Sequence, residues 1–232
     1  SPDDLGTYTK FNYGATSGNT LTPDIKDFKW RTPITGSNQA SASYMEGLKT
    51  DKTDDKANII YGEKDIWYLH SIESKTQIAM FITSDRKDGL GANIDGVRQT
   101  DKRLQKIDKI KLYSKQEYDY DPIAAVPIKT VHFEYDYSLC KGTPNSDDVQ
   151  GGKLTLKKVY FTYRDSNMGK YTPYEFKYQN NYQYDMKAYD IWGNYKPTPD
   201  NVSCKPFNLS QNMSNAEFPY VDQTDRALAD EY

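Results

Sequence analysis

The chain has 232 residues, 36% hydrophobic and 27% charged, with 30 Lys and Arg against 33 Asp and Glu for a net charge of -3. That length holds one large or two small domains. The balanced, scattered charge prepares no face for a phosphate backbone and so argues against nucleic acid, and no stretch reaches the ~18 consecutive apolar residues of a membrane span.

Aromatic residues fill the place of aliphatic ones, with 21 Tyr, 8 Phe and 3 Trp. Such side chains suit a pleated, half-buried surface where a ring packs while a hydroxyl reaches water. The expected class is therefore all-β, mostly antiparallel hairpins in a sandwich- or shell-like arrangement, with long polar loops and at most one or two short helices. The opening "SPDD" and closing "ADEY" read as the ends of a piece of a longer protein. Three parts are expected within one domain: a polar segment over 1–57 with one or two strands, a β-hairpin core over 58–200, and a loop with a short helix over 201–232.

In chain order, the first extended candidates are Leu5 to Tyr13 and Asp27 to Ile34. In the second, Phe28, Trp30 and Thr32 alternate with Lys29 and Arg31, the period-two signature of one buried and one wet face. Thr35 to Ala57 is small and polar and reads as a long loop. Asp65 to Ser84, two apolar runs about Glu73-Ser74-Lys75, is the clearest hairpin.

The next segment, "DRKDGLGANIDG" from Asp85 to Gly96, supports two readings. Asp88, Asn93 and Asp95 among glycines resemble the oxygen-rich, tightly turned loops that hold calcium, although the spacing is not that of an EF-hand. Turn chemistry alone explains the same residues. "QTDKRLQKIDKI", Gln99 to Ile110, has the spacing of a helix of about three turns. In "QEYDYDP", an extended backbone sets Glu117, Asp119 and Asp121 on one side, the nearest approach to a glycosidase carboxylate pair. A solvated acidic strand end is the simpler account.

"PIKTVHFEYDYSL" places Val131, Phe133, Tyr135 and Tyr137 on one face and leaves His132 on the opposite, solvent-facing one. His70 and His132 are the only histidines, and no nucleophile elbow, zinc-protease helix or phosphate-cradling glycine loop is present. Lys153 to Tyr163 and "PYEFKY" supply further strands, and a recurring Leu-x-x-Ile or Leu-x-x-Val (at Leu69, Leu104 and Leu156) gives the hairpins a loose repetition. Cys140 and Cys204 allow either one disulfide or two thiols, and cannot alone make a four-ligand zinc site.

"KAYDIWGNYKPTP", Lys187 to Pro199, is a turn with an aromatic cluster. Exposed, Tyr189, Trp192 and Tyr195 would stack on sugar rings; turned inward, they would anchor a core. Asn201, Asn208 and Asn212 begin Asn-x-Ser sequons, and Gln223 to Tyr232 reads as a short helix with Thr224 as N-cap.

"KLTLKKVYFTYRDSNMGKYTPYEFKY", "AYDIWGNYKP" and "NAEFPYVDQTDRALADE", supported by "LGTYTKFNY", "YGEKDIWYLHSIESKTQIAMFITSDRKDG" and "PIKTVHFEYDYSLCKG", resemble a family of very large surface-associated proteins of Bacteroidetes, distant relatives of RHS and YD-repeat proteins. The resemblance implies a β-rich segment of a long exported polypeptide at the cell surface or outside it. Regular YD repeats and the self-cleaving core motif of RHS proteins are absent, so no catalytic residue carries over.

The expected function is a non-enzymatic β-structural or interaction domain with a scaffold, shell or adhesion role. Its partners would be other segments of the parent polypeptide or surface proteins. A carbohydrate-binding module that engages a glycan is the alternative, and a glycoside-active enzyme a more remote one. No cofactor is expected apart from the calcium reading.

Overall fold

The computed structural model describes residues 6–17, 20–32, 60–149, 151–179 and 181–184. Thr35 to Ala57, Lys187 to Pro199, Cys204, the three sequons and the C-terminal helix candidate lie outside the described residues. The strands are β1 (Lys10–Tyr13), β2 (Ala15–Ser17), β3 (Thr20–Thr22), β4 (Ile25–Thr32), β5 (Ile60–Ile66), β6 (Leu69–Glu73), β7 (Gln77–Ala92), β8 (Arg98–Ser114), β9 (Lys129–Leu139), β10 (Lys153–Thr162) and β11 (Tyr174–Glu175). One six-residue helix, α1 (Lys115–Tyr120), and a 3-10 turn at Met168–Tyr171 interrupt them. The all-β, antiparallel class read from composition is the class observed.

Seven strands form one sheet in the order β1-β6-β7-β8-β9-β10-β11, every neighbouring pair antiparallel. From β6 onward the chain simply meanders, each strand pairing with the one before it, through short turns between β6, β7 and β8 and through longer connections after them. The expected hairpin within Asp65 to Ser84 is β6 with β7, closed where the Ser74 N–H donates to Gln77 O at 2.9 Å and the Gln77 N–H donates to Ser74 Oγ at 3.1 Å. Two further ribbons, β2–β3 and β4–β5, stand outside this sheet.

Four local expectations are corrected. Asp85 to Ala92 is not a loop: β7 runs through it, and only Asn93 to Val97 turns. The glycines there serve close approach rather than turning. A Cβ on Gly89 would lie 2.8 Å from Leu104 Cβ, and one on Gly91 would lie 2.6 Å from the Lys29 carbonyl oxygen of β4. Gln99 to Ile110 is strand, not helix. Asp108 is the extra residue of a bulge, since Ile82 pairs with Lys109 but Thr83 with Ile107. One inserted residue returns Ile107 and Ile110 to a common face, so a helix-like spacing of three arises in a strand.

The third correction concerns "QEYDYDP", which is helical over Lys115–Tyr120 rather than extended. Asp119 takes Lys115 at 2.8 Å across one helical turn, and Asp121 accepts the N–H groups of Ile123 and Ala124. The row of three carboxylates does not form.

The hydrophobic core among the described residues is small: Ile25, Phe28, Ile78, Leu90, Ala92 and Tyr113. Its largest part lies where β4 crosses the far half of β7. There the alternation of burial breaks down, and Asp88 to Ala92 are buried at five successive positions. A strand covered on both faces has no wet side to alternate with. One cover is β4; the other is the connection between β9 and β10, held by Leu90 N–H to Asn145 O, Asp147 N–H to Lys87 O, and Arg98 to Ser146 O.

His132 is not solvent-facing. It is half-buried, stacked on Tyr160 at 4.5 Å, with Nε2 2.8 Å from Thr162 Oγ1. Burial, reinforced by the charge of Lys109, lowers its pKa and favours the neutral ring.

Candidate functional site: a cationic recess and an aromatic edge

The expected site residues are placed as follows. Tyr189, Trp192 and Tyr195 fall outside the described residues. Asn93 and Asp95 share the turn after β7, where Asn93 Oδ1 accepts the N–H groups of Asp95 and Val97. Asp88 sits apart from that turn, within β7, and its carboxylate is taken by other partners. Among the described residues, no three His, Cys, Asp or Glu side chains gather as a metal site.

Asp88 leads instead to a different place. Residues two apart on a strand share a face, so Arg86 reaches Asp88 as a fork, Nε to Oδ1 at 3.0 Å and Nη2 to Oδ2 at 2.7 Å. The Leu154 N–H, at the start of β10, donates to Oδ2 at 2.9 Å. Burial by itself pushes this carboxyl up, but the Arg86 fork, the Leu154 N–H and the guanidinium charge outweigh it and hold the pKa below the ordinary carboxylate value.

Around this pair opens a recess of about 310 Å³, lined by Arg31 and Thr32 of β4, Arg86 and Asp88 of β7, Thr143 to Asn145, Lys153 and Tyr184. The loop is fixed by Thr143 donating through Oγ1 to Cys140 O at 2.7 Å, and Tyr184 by its N–H donating to Lys141 O at 2.7 Å. Lys153 Nζ stands 5.8 Å from the Tyr184 ring centre. Three cations thus face one carboxylate, and that carboxylate is already matched by Arg86.

Among the described residues no carboxylate pairs with Arg31 or Lys153, and Arg31 Nε is shut away from solvent without a hydrogen-bond partner. Leaving a buried donor unmatched costs roughly 1–3 kcal/mol. The arrangement favours negative charge entering the recess; a cation there would meet Arg31, Arg86 and Lys153. Residues 31, 86, 153 and 184 carry no common signal in the sequence, because only strand crossing brings them together.

A second feature borders the sheet. Beyond β10 the chain runs back along it, and Tyr174, Phe176 and Tyr178 are 66%, 40% and 46% exposed. Phe176 N–H donates to Lys157 O, and Tyr178 OH donates to Leu156 O, so the row is tied down rather than loose. Tyr163, Tyr171 and Tyr182 extend the exposed aromatic surface. The period-two spacing of "PYEFKY" is a sequence signal that points to this row. Compared with protein families, with curated proteins and with solved structures, the chain matches none.

Proposed function

We propose that this chain is a non-enzymatic β-structural and interaction domain of a large exported surface protein, completed by other segments of its parent polypeptide or by neighbouring surface proteins. The supporting observation is the outer flank of β10. On its outer flank this ten-residue strand has, among the described residues, a ladder partner only in the two-residue β11 at Lys158 and Val159, with single contacts from Phe176, Tyr178 and the 3-10 turn beside it, and the exposed rings of Tyr174, Phe176 and Tyr178 lie along that flank. An under-covered strand edge beside an apolar row invites a further strand, which gains main-chain hydrogen bonds and ring contacts together.

The test is light scattering across a wide concentration range. The expected outcome is a weight-average mass that rises with concentration, and a rise that is suppressed when Tyr174, Phe176 and Tyr178 are all replaced by Lys with the far-ultraviolet circular dichroism unchanged. A strictly monomeric chain at every concentration counts against completion through this edge. The exposed aromatic row also supports the second reading, a carbohydrate-binding module, since rings of that kind stack on the C–H faces of sugars. Retention by a polysaccharide gel that the same triple variant abolishes, in a chain that stays monomeric, is the outcome that selects it.

A further inference from the structure

We propose that the recess between β4, β7 and the β9–β10 connection is a binding site for a small carboxylate-bearing molecule of about the size of a sugar acid. Three observations carry it, and none involves the aromatic row Tyr174, Phe176 and Tyr178 beside β10. The first is charge. Arg86 and Asp88 satisfy each other through a two-point bond, which leaves Arg31 and Lys153 as the cations facing the recess, without a carboxylate partner among the described residues. The second is the state of Arg31, half-buried and holding an Nε donor that nothing described accepts. A small rotation of its planar guanidinium onto a carboxylate supplies that acceptor, and a carboxylate matches the fork at two points where a spherical anion matches it at one.

The third observation is size and lining. At about 310 Å³ the recess stands at the lower limit of the ~300–1,000 Å³ typical of small-molecule sites and admits neither a helix nor a strand. Its walls combine polar groups with Pro144 and the Tyr184 ring, and Lys153 stands beside that ring, so the lining offers apolar surface as well as cations. Asp88 does not repel the ligand strongly, because its charge is shared with Arg86 and the Leu154 N–H and its side chain is almost wholly enclosed. Its part is positional: it locks Arg86 in place so that the recess wall does not collapse onto the incoming carboxylate.

The experiment is a titration of the full chain with sodium glucuronate, sodium acetate and glucose, followed by heteronuclear NMR shifts at low salt and again at high salt. Glucuronate is expected to saturate, acetate to bind with the same dependence on Arg31, and glucose to bind far more weakly. Arg31→Gln is expected to weaken glucuronate about tenfold or more, the loss of one charge-assisted pair. Because Arg31 is half-buried and its loss could disturb the fold, Lys153→Gln, at an exposed position, gives an independent arm with a smaller loss. Saturable glucuronate binding that both variants weaken while their spectra stay dispersed supports the site. Glucuronate that fails to saturate against the folded chain, glucose bound as tightly as glucuronate, or affinity indifferent to both variants overturns it.

Discussion

Asp88 shows what a single enclosed charge requires. It is 3% exposed, and it remains ionised there only because Arg86 and the Leu154 N–H supply three hydrogen bonds to its two oxygens. Asp88→Ala removes those bonds and leaves Arg86 without its counter-ion. Since the Arg86 side chain keeps 31% of its surface, solvent recovers part of the loss, and the expected destabilisation is about 3 kcal/mol, the low end for a broken buried pair. Urea unfolding of the variant checks this; a midpoint within error of the parent's refutes it. The same group sets an acid limb. Its folded pKa lies below the ordinary 3.8, so the stabilisation is complete above that value and is lost as the pH falls through the depressed one. The variant is expected to lack that limb, which unfolding curves between about pH 5 and pH 2 will reveal. In the sequence Asp88 reads as an oxygen ligand beside glycines. Nothing local indicates that an arginine two residues earlier shares its face, since that follows only once the segment is known to be strand.

At the level of elements, β7 and β8 explain why some readings succeed and others fail. The Ser74 turn and the apolar runs on either side of it form a hairpin through local hydrogen bonds, so the sequence displays them directly. The far half of β7 depends on distant covers. "DGLG" has the composition of a turn, yet Gly89 and Gly91 lie in a strand because β8 and β4 press against their α-carbons. Gly91→Ala is accordingly expected to force β4 away and to destabilise by roughly 1–3 kcal/mol, the usual cost of overpacking. Thermal unfolding monitored by circular dichroism reports it. An alanine variant as stable as the parent means that β4 does not rest on this position. The three-residue spacing of Ile107 and Ile110 imitates a helix for an equally specific reason: the bulge at Asp108 slips the register by one residue, and no periodicity analysis anticipates a bulge.

For the molecule as a whole, stability is expected to be graded rather than uniform. β7 and β8 are long and are paired on both sides over Ile78 to Met80 and Lys109 to Leu112, whereas β1 has four residues and β11 two. Native-state hydrogen exchange should therefore find the slowest amides at Ile78 to Ile82 and Lys109 to Tyr113, and much faster exchange in β1, β2, β3 and β11. Equal protection throughout would mean that the peripheral strands belong to the same cooperative unit as the centre.

The sequence by itself determined the β class, the antiparallel habit and the hairpin at Ser74, because aromatic composition, period-two burial and turn residues act over a few positions. It also determined which familiar catalytic motifs are missing. Tertiary structure alone decided that Asp85 to Ala92 is a double-covered strand, that His132 stacks on Tyr160, and that Arg31, Arg86 and Lys153 line one recess. The first and last of those features arise where β4 crosses β7 and where the 143–149 loop folds back upon it, whereas His132 meets Tyr160 as its cross-strand partner in the β9–β10 pair. Contacts between residues far apart in the chain leave no local pattern, for the chain's own periodicity records which face a residue takes and never which distant segment will cover that face.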